Sequence, residues 1–336
     1  MMASLFVNAQ SGGGQNDQIS IGLLVNNLNE TVATCSAELA VKHINDKGGV
    51  SGKPLKLMIR SVEGSWGAGS SEVVDLVFKE NVSAIIGSID GRNSHLAEQV
   101  IAKTQVIYLS AWASDPTLSK AYVPYYFSLV PNDDQQAALM LEELSKSKLR
   151  RILVVYEESY DAEQALKSVN LASNGMEKLK IVPLSYDSLK STGLQKRIEN
   201  ETFDAMILLG RKIPVTGILK QLKVSGNSIP IYANLAAQTS DGYLTEQQKS
   251  RDNIQVNSKD FEKMFLDKCN RKPGPIASYT YDAIRIMAEV LKKSGDDHRS
   301  LLQNMSQINY QGVTGVVEFD SQGRLKNSGE LLLIKE

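Results

Sequence analysis

Cysteine and histidine are scarce in this 336-residue sequence, and their spacing excludes several kinds of site. Cys35 and Cys269 lie far apart and form no CxxC or mixed Cys/His pattern. The sequence therefore predicts neither a zinc site nor a disulfide framework, and we expect two free, buried thiols. The three histidines, His43, His95 and His298, are scattered, form no HExxH motif and have no obvious carboxylate partner. We expect each of them in the core or on the surface and not at a metal.

Long apolar runs and an excess of one charge are also missing. No run approaches the roughly 18 apolar residues that a membrane-spanning helix needs, so we expect a soluble body. The net charge is -1, and no basic cluster is interleaved with aromatic residues, which argues against nucleic-acid binding. We expect residues 1–18 to be either a disordered Gly/Ser/Gln-rich tail or the remnant of an export signal, in which Val7 and Ala9 would precede the cleavage site.

The glycines of "HINDKGGVSGKPLKL" do not form a phosphate-binding loop. Gly48 and Gly52 are too close together for a P-loop, and Pro54 stands where a metal-binding hydroxyl is needed. The pattern instead predicts a helix that Gly48 closes, a turn through Gly49 and Gly52, and a strand from Leu55.

Motifs for catalysis and for cofactors are absent elsewhere too. No GxGxxG follows the first predicted strand, and there is no GxSxG elbow and no pair of carboxylates spaced for acid-base work. We therefore expect no cofactor, no metal and no enzymatic activity.

What the sequence does contain is a repeated alternation of short apolar strands with amphipathic helices from Ile19 onward. The pattern predicts helices over residues 32–46, 71–80, 94–103 and 133–145, and it restarts after Pro131. This alternation is typical of parallel sheets covered by helices, so we predict an α/β fold with two doubly wound halves. After residue 253 the pattern becomes helix upon helix, and this tail must return to cover the earlier halves.

The predicted strands end in polar segments. These are GSIDGRNS and LSAWASDP in the first half, and YEESYD, GRKIP and ANLAAQT in the second. Ligands of open α/β sheets bind beyond the carboxyl ends of the strands, so the segments predict a site for a small polar ligand.

Four stretches resemble the type I periplasmic solute-binding proteins, in particular the leucine/isoleucine/valine-binding branch that serves ABC importers. They are HINDKGGVSGKPLKL, GSIDGRNSH, LSAWASDPTLS and SYTYDAIRIMAEVLKKSG, and the similarity runs from about Ile19 over nearly the whole chain. The resemblance implies two Rossmann-like lobes joined by three crossing strands, which close over a ligand like a clamp. It places one lobe at residues 19–131 plus 256–326 and the other at residues 132–255 plus 327–336.

The resemblance also implies which residues bind the ligand. In the family, the loops after the third and fourth strands hold a carboxylate through hydroxyls and backbone N–H groups, and an aromatic residue comes from the second lobe. The candidate ligand-binding residues are Asp90, Gly91, Arg92, Asn93, Ser94, Trp112, Ala113, Ser114, Tyr156, Tyr160, Arg211 and Asn234. Three plainer alternatives stay open: a solvated Arg211, a Trp112 packed beneath the cleft, and an ion pair between Asp90 and Arg92.

One departure from the family bears on the charge of the ligand. Where the amino-acid binders place an acidic residue for the ligand's ammonium, this sequence has Asn234 and Leu235. Arg211 stands where these binders often have an aromatic residue, so the sequence favours a negatively charged ligand.

The leading functional hypothesis is a monomeric periplasmic or extracellular binding protein that delivers an amino acid or small carboxylate to ABC permease subunits. Such a protein could be anchored to the membrane through a missing or truncated N-terminal signal. The same fold also serves as the ligand-sensing module of a signalling system. An enzyme or a sugar-responsive repressor is a third possibility, but a repressor needs a helix-turn-helix ahead of Ile19, where only the Gly/Ser-rich tail stands.

Overall fold

The computed structural model describes most of the chain. The described residues are 17–29, 31–64, 67–87, 90–121, 123–176, 178–188, 193–224, 226, 229–238, 255–295, 297–326 and 333–334. No helix in these ranges combines the length and the apolar character that crossing a bilayer requires.

The first half forms a parallel five-stranded sheet. Its strands are β1 (Ile19–Val25), β2 (Leu55–Ser61), β3 (Ala84–Gly87), β4 (Ile107–Ser110) and β5 (Tyr126–Ser128), in the order β2-β1-β3-β4-β5. The connecting helices are α1 (Thr31–Asp46), α2 (Ala68–Phe78) and α3 (Gly91–Thr104), with a short 3-10 turn at Leu118–Ala121. The predicted alternation of strands and helices is confirmed here.

The second half repeats this arrangement. Its elements are α4 (Asp133–Lys146), β6 (Arg151–Tyr156), α5 (Tyr160–Ser173), β7 (Lys180–Ser185), α6 (Gly193–Asn200), β8 (Ala205–Leu209), α7 (Val215–Val224) and β9 (Ile231–Ala233). The sheet order is β12-β9-β8-β6-β7, in which β12 (Leu333–Ile334) is antiparallel to β9 and the other pairs are parallel. The prediction of two doubly wound sheets is therefore confirmed.

The tail returns to the first sheet before β12. Its elements are α8 (Gln255–Cys269), α9 (Pro275–Ser294), α10 (His298–Ser306), and a hairpin of β10 (Tyr310–Gly312) and β11 (Gly315–Val317). Phe265, Tyr281, Ile284 and Met287 of this tail are buried together with the apolar residues of β1 and α1. The second and third crossings are predicted near Gln255 and Asn327. Residues 239–254, which precede α8, and residues 327–332 lie outside the described residues, so the lobe boundaries stay a prediction.

Each sheet has its own apolar core. Leu23 and Ile86 are buried on one face of the first sheet, and Leu24 and Ile85 on the other. The second sheet has the same arrangement on its two faces. Within the described residues, no buried apolar cluster draws its fully buried members from both sheets. Each lobe therefore has apolar cores of its own, as expected of a separate domain.

The glycine turn after α1 is explained by its backbone angles. Gly48 and Gly49 have φ values of +93° and +74°, in the left-handed region that side chains disfavour. A Cβ atom on Gly49 would lie 2.1 Å from the carbonyl oxygen of Lys53, so this position has no room for a side chain. The prediction that these glycines end a helix and turn the chain is confirmed.

The prediction of two free, buried thiols is wrong. Cys35 in α1 and Cys269 at the end of α8 form a disulfide, their Cα atoms lie 6.2 Å apart, and both residues are only partly buried. The pairing has no local sequence signature because 234 positions separate the two cysteines. It arises because the returning helix α8 packs beside α1 in the folded lobe.

Candidate functional site

The carboxyl ends of the two sheets face each other across a junction that we call the cleft. On the first lobe it is formed by the start of α3 and the segment 111–117, which follow β3 and β4. On the second lobe it is formed by the start of α5 and the segment 210–212, which follow β6 and β8. The contacts between these segments are polar, as expected at the ligand-binding edge of an α/β sheet.

Asp90 organises the first turn of α3. Its Oδ1 accepts a hydrogen bond from the backbone N–H of Asn93 at 2.7 Å, and its Oδ2 accepts one from the Asn93 side chain at 3.0 Å. Ser94 donates from Oγ to the Asp90 carbonyl at 2.9 Å. Asp90 is thus the N-cap of α3, a position that favours aspartate because its carboxylate satisfies a free N–H of the first turn.

The backbone N–H of Gly91, the first residue of α3, is hydrogen-bonded to a carboxylate of the second lobe. Gly91 donates its backbone N–H to Oδ1 of Asp161 at 2.9 Å. A Cβ atom on Gly91 would lie 2.9 Å from that oxygen and 2.8 Å from Cβ of Asp115, so glycine permits this close approach. The N-terminus of a helix attracts negative charge, and here the charge belongs to the protein's own α5.

A second contact across the cleft joins Tyr160 to Asp115. The Tyr160 hydroxyl donates to Oδ2 of Asp115 at 2.8 Å, and the same oxygen lies 3.2 Å from Nε2 of His95. Thr117 donates to Asp115 through its backbone N–H at 2.8 Å and its hydroxyl at 2.7 Å. The first and second residues of α5 therefore both contact the first lobe.

These hydrogen bonds determine the charges of Asp115 and His95. Burial opposes ionisation of Asp115, but the hydrogen bonds from His95, Thr117 and Tyr160 outweigh it and lower its pKa to about 2. Hydrogen bonds to Asp115 and Glu98 raise the pKa of His95 to about 9. At neutral pH the pair is therefore a carboxylate and an imidazolium.

The pKa of Asp161 is raised, in contrast to that of Asp115. Burial raises its pKa to about 7, from the ordinary 3.8, and the neighbouring carboxyl groups of Asp90 and Asp115 add to the effect. The hydrogen bond from Gly91 and the positive charge of Arg211 lower the pKa but do not offset the burial. Near neutral pH, Asp161 is therefore poised between its neutral and its charged form.

Arg211 makes the third contact between the lobes. With the Asn26 amide oriented to satisfy both of its ends, its oxygen accepts from Nη1 of Arg211 at 3.0 Å and its NH2 donates to Oδ2 of Asp90 at 3.1 Å. Arg211 is thus joined to the first lobe through Asn26 and is not a merely solvated charge.

Ser114 is bonded to a buried acid. Its Oγ donates to Oδ1 of Asp133 at 2.9 Å, and its carbonyl accepts from the Asp133 backbone N–H at 2.7 Å. Asp133 is 2% exposed, and its Oδ2 has no hydrogen-bond partner among the described residues. Burial raises the pKa of Asp133 well above its usual value.

Other predicted site residues are buried or lie apart from these contacts. Trp112 is buried and packs edge-on against Tyr279, with ring centroids 6.0 Å apart. Ala113 is buried and donates its N–H to Oγ of Ser110 at 3.1 Å. Tyr156 is partly buried and packs against the core of the second lobe.

Asn234 and Arg92 differ in exposure. Asn234 is buried, and its Oδ1 accepts from the N–H groups of Gly210 at 3.3 Å and Ala237 at 2.9 Å, which fixes the loop after β9. Arg92 is exposed on α3. Which of the predicted residues contact a ligand stays a prediction.

Sequence reasoning missed five polar residues of the cleft. They are Asn26, His95, Asp115, Asp133 and Asp161. The available signal was position, since the quoted segments SDP and YEESYD contain Asp115 and Asp161 at strand ends. The expectation that no histidine has a carboxylate partner is wrong for His95, because the fold brings the segment after β4 against α3.

The cleft shows no metal-binding arrangement. Within the described ranges, no group of three or more His, Cys, Asp or Glu side chains is placed to hold a metal ion.

Comparison with known sequences gives one family. Residues 32–332 match the receptor family ligand binding region. The Leu/Ile/Val-binding protein of Escherichia coli K12 is 21% identical over 310 residues, which are 86% of this chain and 82% of that protein. The Leu/Ile/Val-binding protein homolog 1 of Brucella abortus is 22% identical over 312 residues, with 88% and 83% covered.

Solved structures share the fold. The branched-chain amino acid transporter substrate-binding protein of Streptococcus pneumoniae, in complex with isoleucine, has a TM-score of 0.75 and 21% identity, and the match covers 92% of this chain and 93% of that one. A solute-binding protein of an ABC transporter from Rhodopseudomonas palustris, in complex with 3,4-dihydroxybenzoic acid, has a TM-score of 0.76 and 17% identity, with 92% and 91% covered.

These relatives and neighbours are solute-binding proteins and not enzymes, which confirms the prediction from the missing catalytic motifs. The match spans both lobes and the returning tail. The chain therefore belongs to the family defined by the receptor family ligand binding region, and type I periplasmic solute-binding proteins of ABC transporters are among its relatives and structural neighbours.

Proposed function

We propose that this chain is an extracytoplasmic solute-binding protein that captures a small polar ligand in the cleft and delivers it to an ABC permease. The observation that carries the proposal is the direct polar contact between the two lobes at the carboxyl ends of their sheets. Tyr160 and Asp161 of the second lobe meet Asp115 and Gly91 of the first. A junction held by a few hydrogen bonds between separate cores can open to admit a solute and close over it.

The disulfide supports a location outside the cytoplasm. Cys35 and Cys269 are joined in this fold, and disulfides form and persist in the periplasm and outside the cell. A protein that collects solutes for an importer must be located in the periplasm or outside the cell.

The comparisons leave the ligand class open between amino acids and small carboxylates. One structural neighbour holds isoleucine and another holds 3,4-dihydroxybenzoic acid, so the shared fold accommodates both. The partners we propose are a small solute and the permease subunits of an ABC importer, with the binding protein acting as a monomer.

A thermal-shift screen followed by calorimetry tests the proposal. Amino acids and small carboxylates are screened for an increase in Tm, and the dissociation constant of each hit is measured for the wild type and for Ser114→Ala. Ser306→Ala is the matched control, because Ser306 is exposed at the end of α10. We expect a hit whose binding is weakened by Ser114→Ala and unchanged by Ser306→Ala.

Two results would contradict the proposal. One is a screen in which no solute binds, and the other is a hit that neither Ser114→Ala nor any other cleft variant weakens. Delivery to a permease is tested separately, since deletion of the gene should abolish cellular uptake of the solute that binds.

A further inference from the structure

The two lobes meet at a carboxyl group that has other carboxyl groups beside it. Oδ1 of Asp161, in the first turn of α5, accepts the backbone N–H of Gly91 in the first lobe at 2.9 Å. A Cβ atom on Gly91 would lie 2.9 Å from that oxygen and 2.8 Å from Cβ of Asp115, and Asp90 precedes the same glycine as the N-cap of α3. Contact between the lobes therefore brings Asp161 close to two acids of the first lobe.

The elements packed around the start of α5 contribute acids and bases to this junction. The His95 imidazole lies 3.2 Å from Asp115, and Arg211 is joined to Asp90 through Asn26. The charged groups around Asp161 are Asp90 and His95 from α3 and its N-cap, Asp115 from the segment after β4, Asp133 from α4, Glu157 from the loop after β6, and Arg211 from the segment after β8. In this set of described residues, the carboxyl groups outnumber the cations.

The carboxyl group of Asp161 is harder to ionise when the lobes are in contact. Burial, followed by the charges of Asp90 and Asp115, raises its pKa to about 7. When the lobes separate, the two acids move away and water reaches the carboxyl group from the side of the first lobe, so its pKa returns toward the ordinary 3.8. Asp115 and His95 keep their charges near neutral pH, because their pKa values are about 2 and about 9.

We propose that Asp161 is a proton-sensitive latch of the cleft: a proton on its carboxyl group favours the closed form, and loss of this proton favours opening. This inference rests on the opening and closing that we propose for solute binding. The neutral carboxyl group keeps an oxygen that accepts from Gly91, while its repulsion of Asp90 and Asp115 is removed. Acidification should therefore strengthen closure, and with it the retention of a solute.

The size of the effect follows from the two forms of the cleft. A group whose pKa is higher in the closed form takes up a proton on closure, so the ratio of closed to open protein rises as the pH falls. With a pKa of about 7 in the closed form and 3.8 in the open form, this ratio should rise about tenfold between pH 8 and pH 6.

Small-angle X-ray scattering of the full-length protein without solute, at pH 8 and pH 6, tests the latch. Asp161→Asn is the informative variant, because asparagine keeps an oxygen that accepts from Gly91 but cannot ionise. Glu163→Gln is the matched control, since Glu163 lies in the same first turn of α5 but is exposed. We expect the radius of gyration of the wild type and of Glu163→Gln to fall on acidification, and that of Asp161→Asn to be small at both pH values.

The comparison with Asp161→Asn also removes the effect of acids that titrate elsewhere. Asp282 is such an acid, because its pKa is raised to about 6 by burial, but it is bonded to Val313 and Thr314 within the first lobe. The pH dependence that Asp161→Asn abolishes therefore belongs to the junction between the lobes.

A carbon-13 NMR titration of aspartate-labelled protein gives a second measurement. The carboxyl signal of Asp161 is identified by its absence from Asp161→Asn, and we expect its midpoint between about pH 5 and pH 7. Asp90→Asn should lower this midpoint, because asparagine still caps α3 while a neighbouring negative charge is lost.

Two results would overturn the latch. One is a radius of gyration that does not fall between pH 8 and pH 6 in the wild type, or that falls equally in Asp161→Asn. The other is an Asp161 midpoint below about pH 5, close to that of an exposed aspartate. Neither measurement uses a solute, so failure of the latch appears here, whereas failure of the proposed binding function appears in the solute screen.

Discussion

Replacing Tyr160 with phenylalanine removes one of the hydrogen bonds that hold the lobes together and keeps the ring. The lost bond is the one from the Tyr160 hydroxyl to Oδ2 of Asp115, at 2.8 Å. Asp115 keeps the hydrogen bonds from His95 and Thr117, so no buried charge is left without a partner. The expected loss is therefore the net value of one hydrogen bond and not the larger cost of an orphaned carboxylate.

The magnitude follows from the exposure of the tyrosine. Hydrogen bonds to charged groups contribute roughly 1.5–3 kcal/mol, and neutral ones roughly 0.5–1.5 kcal/mol. Tyr160 is 40% exposed, so water competes for its hydroxyl and we expect about 1–1.5 kcal/mol. Because about 1.4 kcal/mol is a factor of ten, the closed form should become about 5- to 12-fold less populated relative to the open form.

Calorimetry with a solute identified in the screen measures this change. If the free protein is mainly open, the dissociation constant should rise by the same factor, because only the closed form holds the solute fully. Tyr186→Phe is the control, since this tyrosine lies beyond β7 and has no described contact with the first lobe. A Tyr160→Phe variant that binds within twofold of the wild type would refute the role of this bond in closure.

Three further predictions concern the folding of the lobes. Changing Cys35 and Cys269 to alanine should lower the free energy of unfolding by about 2–4 kcal/mol, measured by urea denaturation, and a reductant that leaves the wild type unchanged would contradict this. Because the pKa of His95 is raised from 6.5 to about 9, its stabilisation is complete below pH 6.5 and is lost as the pH rises through about 9. The free energy of unfolding of the wild type should therefore fall by at most about 3 kcal/mol between pH 6.5 and pH 9. The His95→Gln variant should lack this dependence on pH, and an equal dependence in both proteins would contradict the role of His95. Gly49→Ala should lower Tm, because its Cβ would lie 2.1 Å from the Lys53 carbonyl oxygen, and an unchanged Tm would show that the turn can adjust.

The sequence was sufficient for the architecture because the fold depends on local patterns. Residues close together in the sequence determine the alternation of strands and helices and the glycine turn at Gly48 and Gly49. The structure confirms both features. The disulfide was missed because it joins positions 234 residues apart, which only the packing of α8 beside α1 brings together.

The sequence predicted which loops form the cleft, but it did not predict the hydrogen bonds between them. Strand ends indicated the correct loops, but the hydrogen-bond partners there come from distant segments, as Asp161 meets Gly91 and Asp133 meets Ser114. The sequence does not show which hydrogen-bond donors are already bonded to acceptors of the protein; only the fold shows this. For this reason the charge of the ligand could not be inferred from the missing acid near Leu235 alone.

Small-angle X-ray scattering of the protein, alone and saturated with a solute that calorimetry shows to bind, tests the central claim most directly. The claim is that the two lobes close over the cleft through the contacts of Tyr160, Asp161 and Arg211 with the first lobe. The account predicts a smaller radius of gyration in the presence of the solute. Superimposable profiles, with binding proven in the same sample, would contradict it.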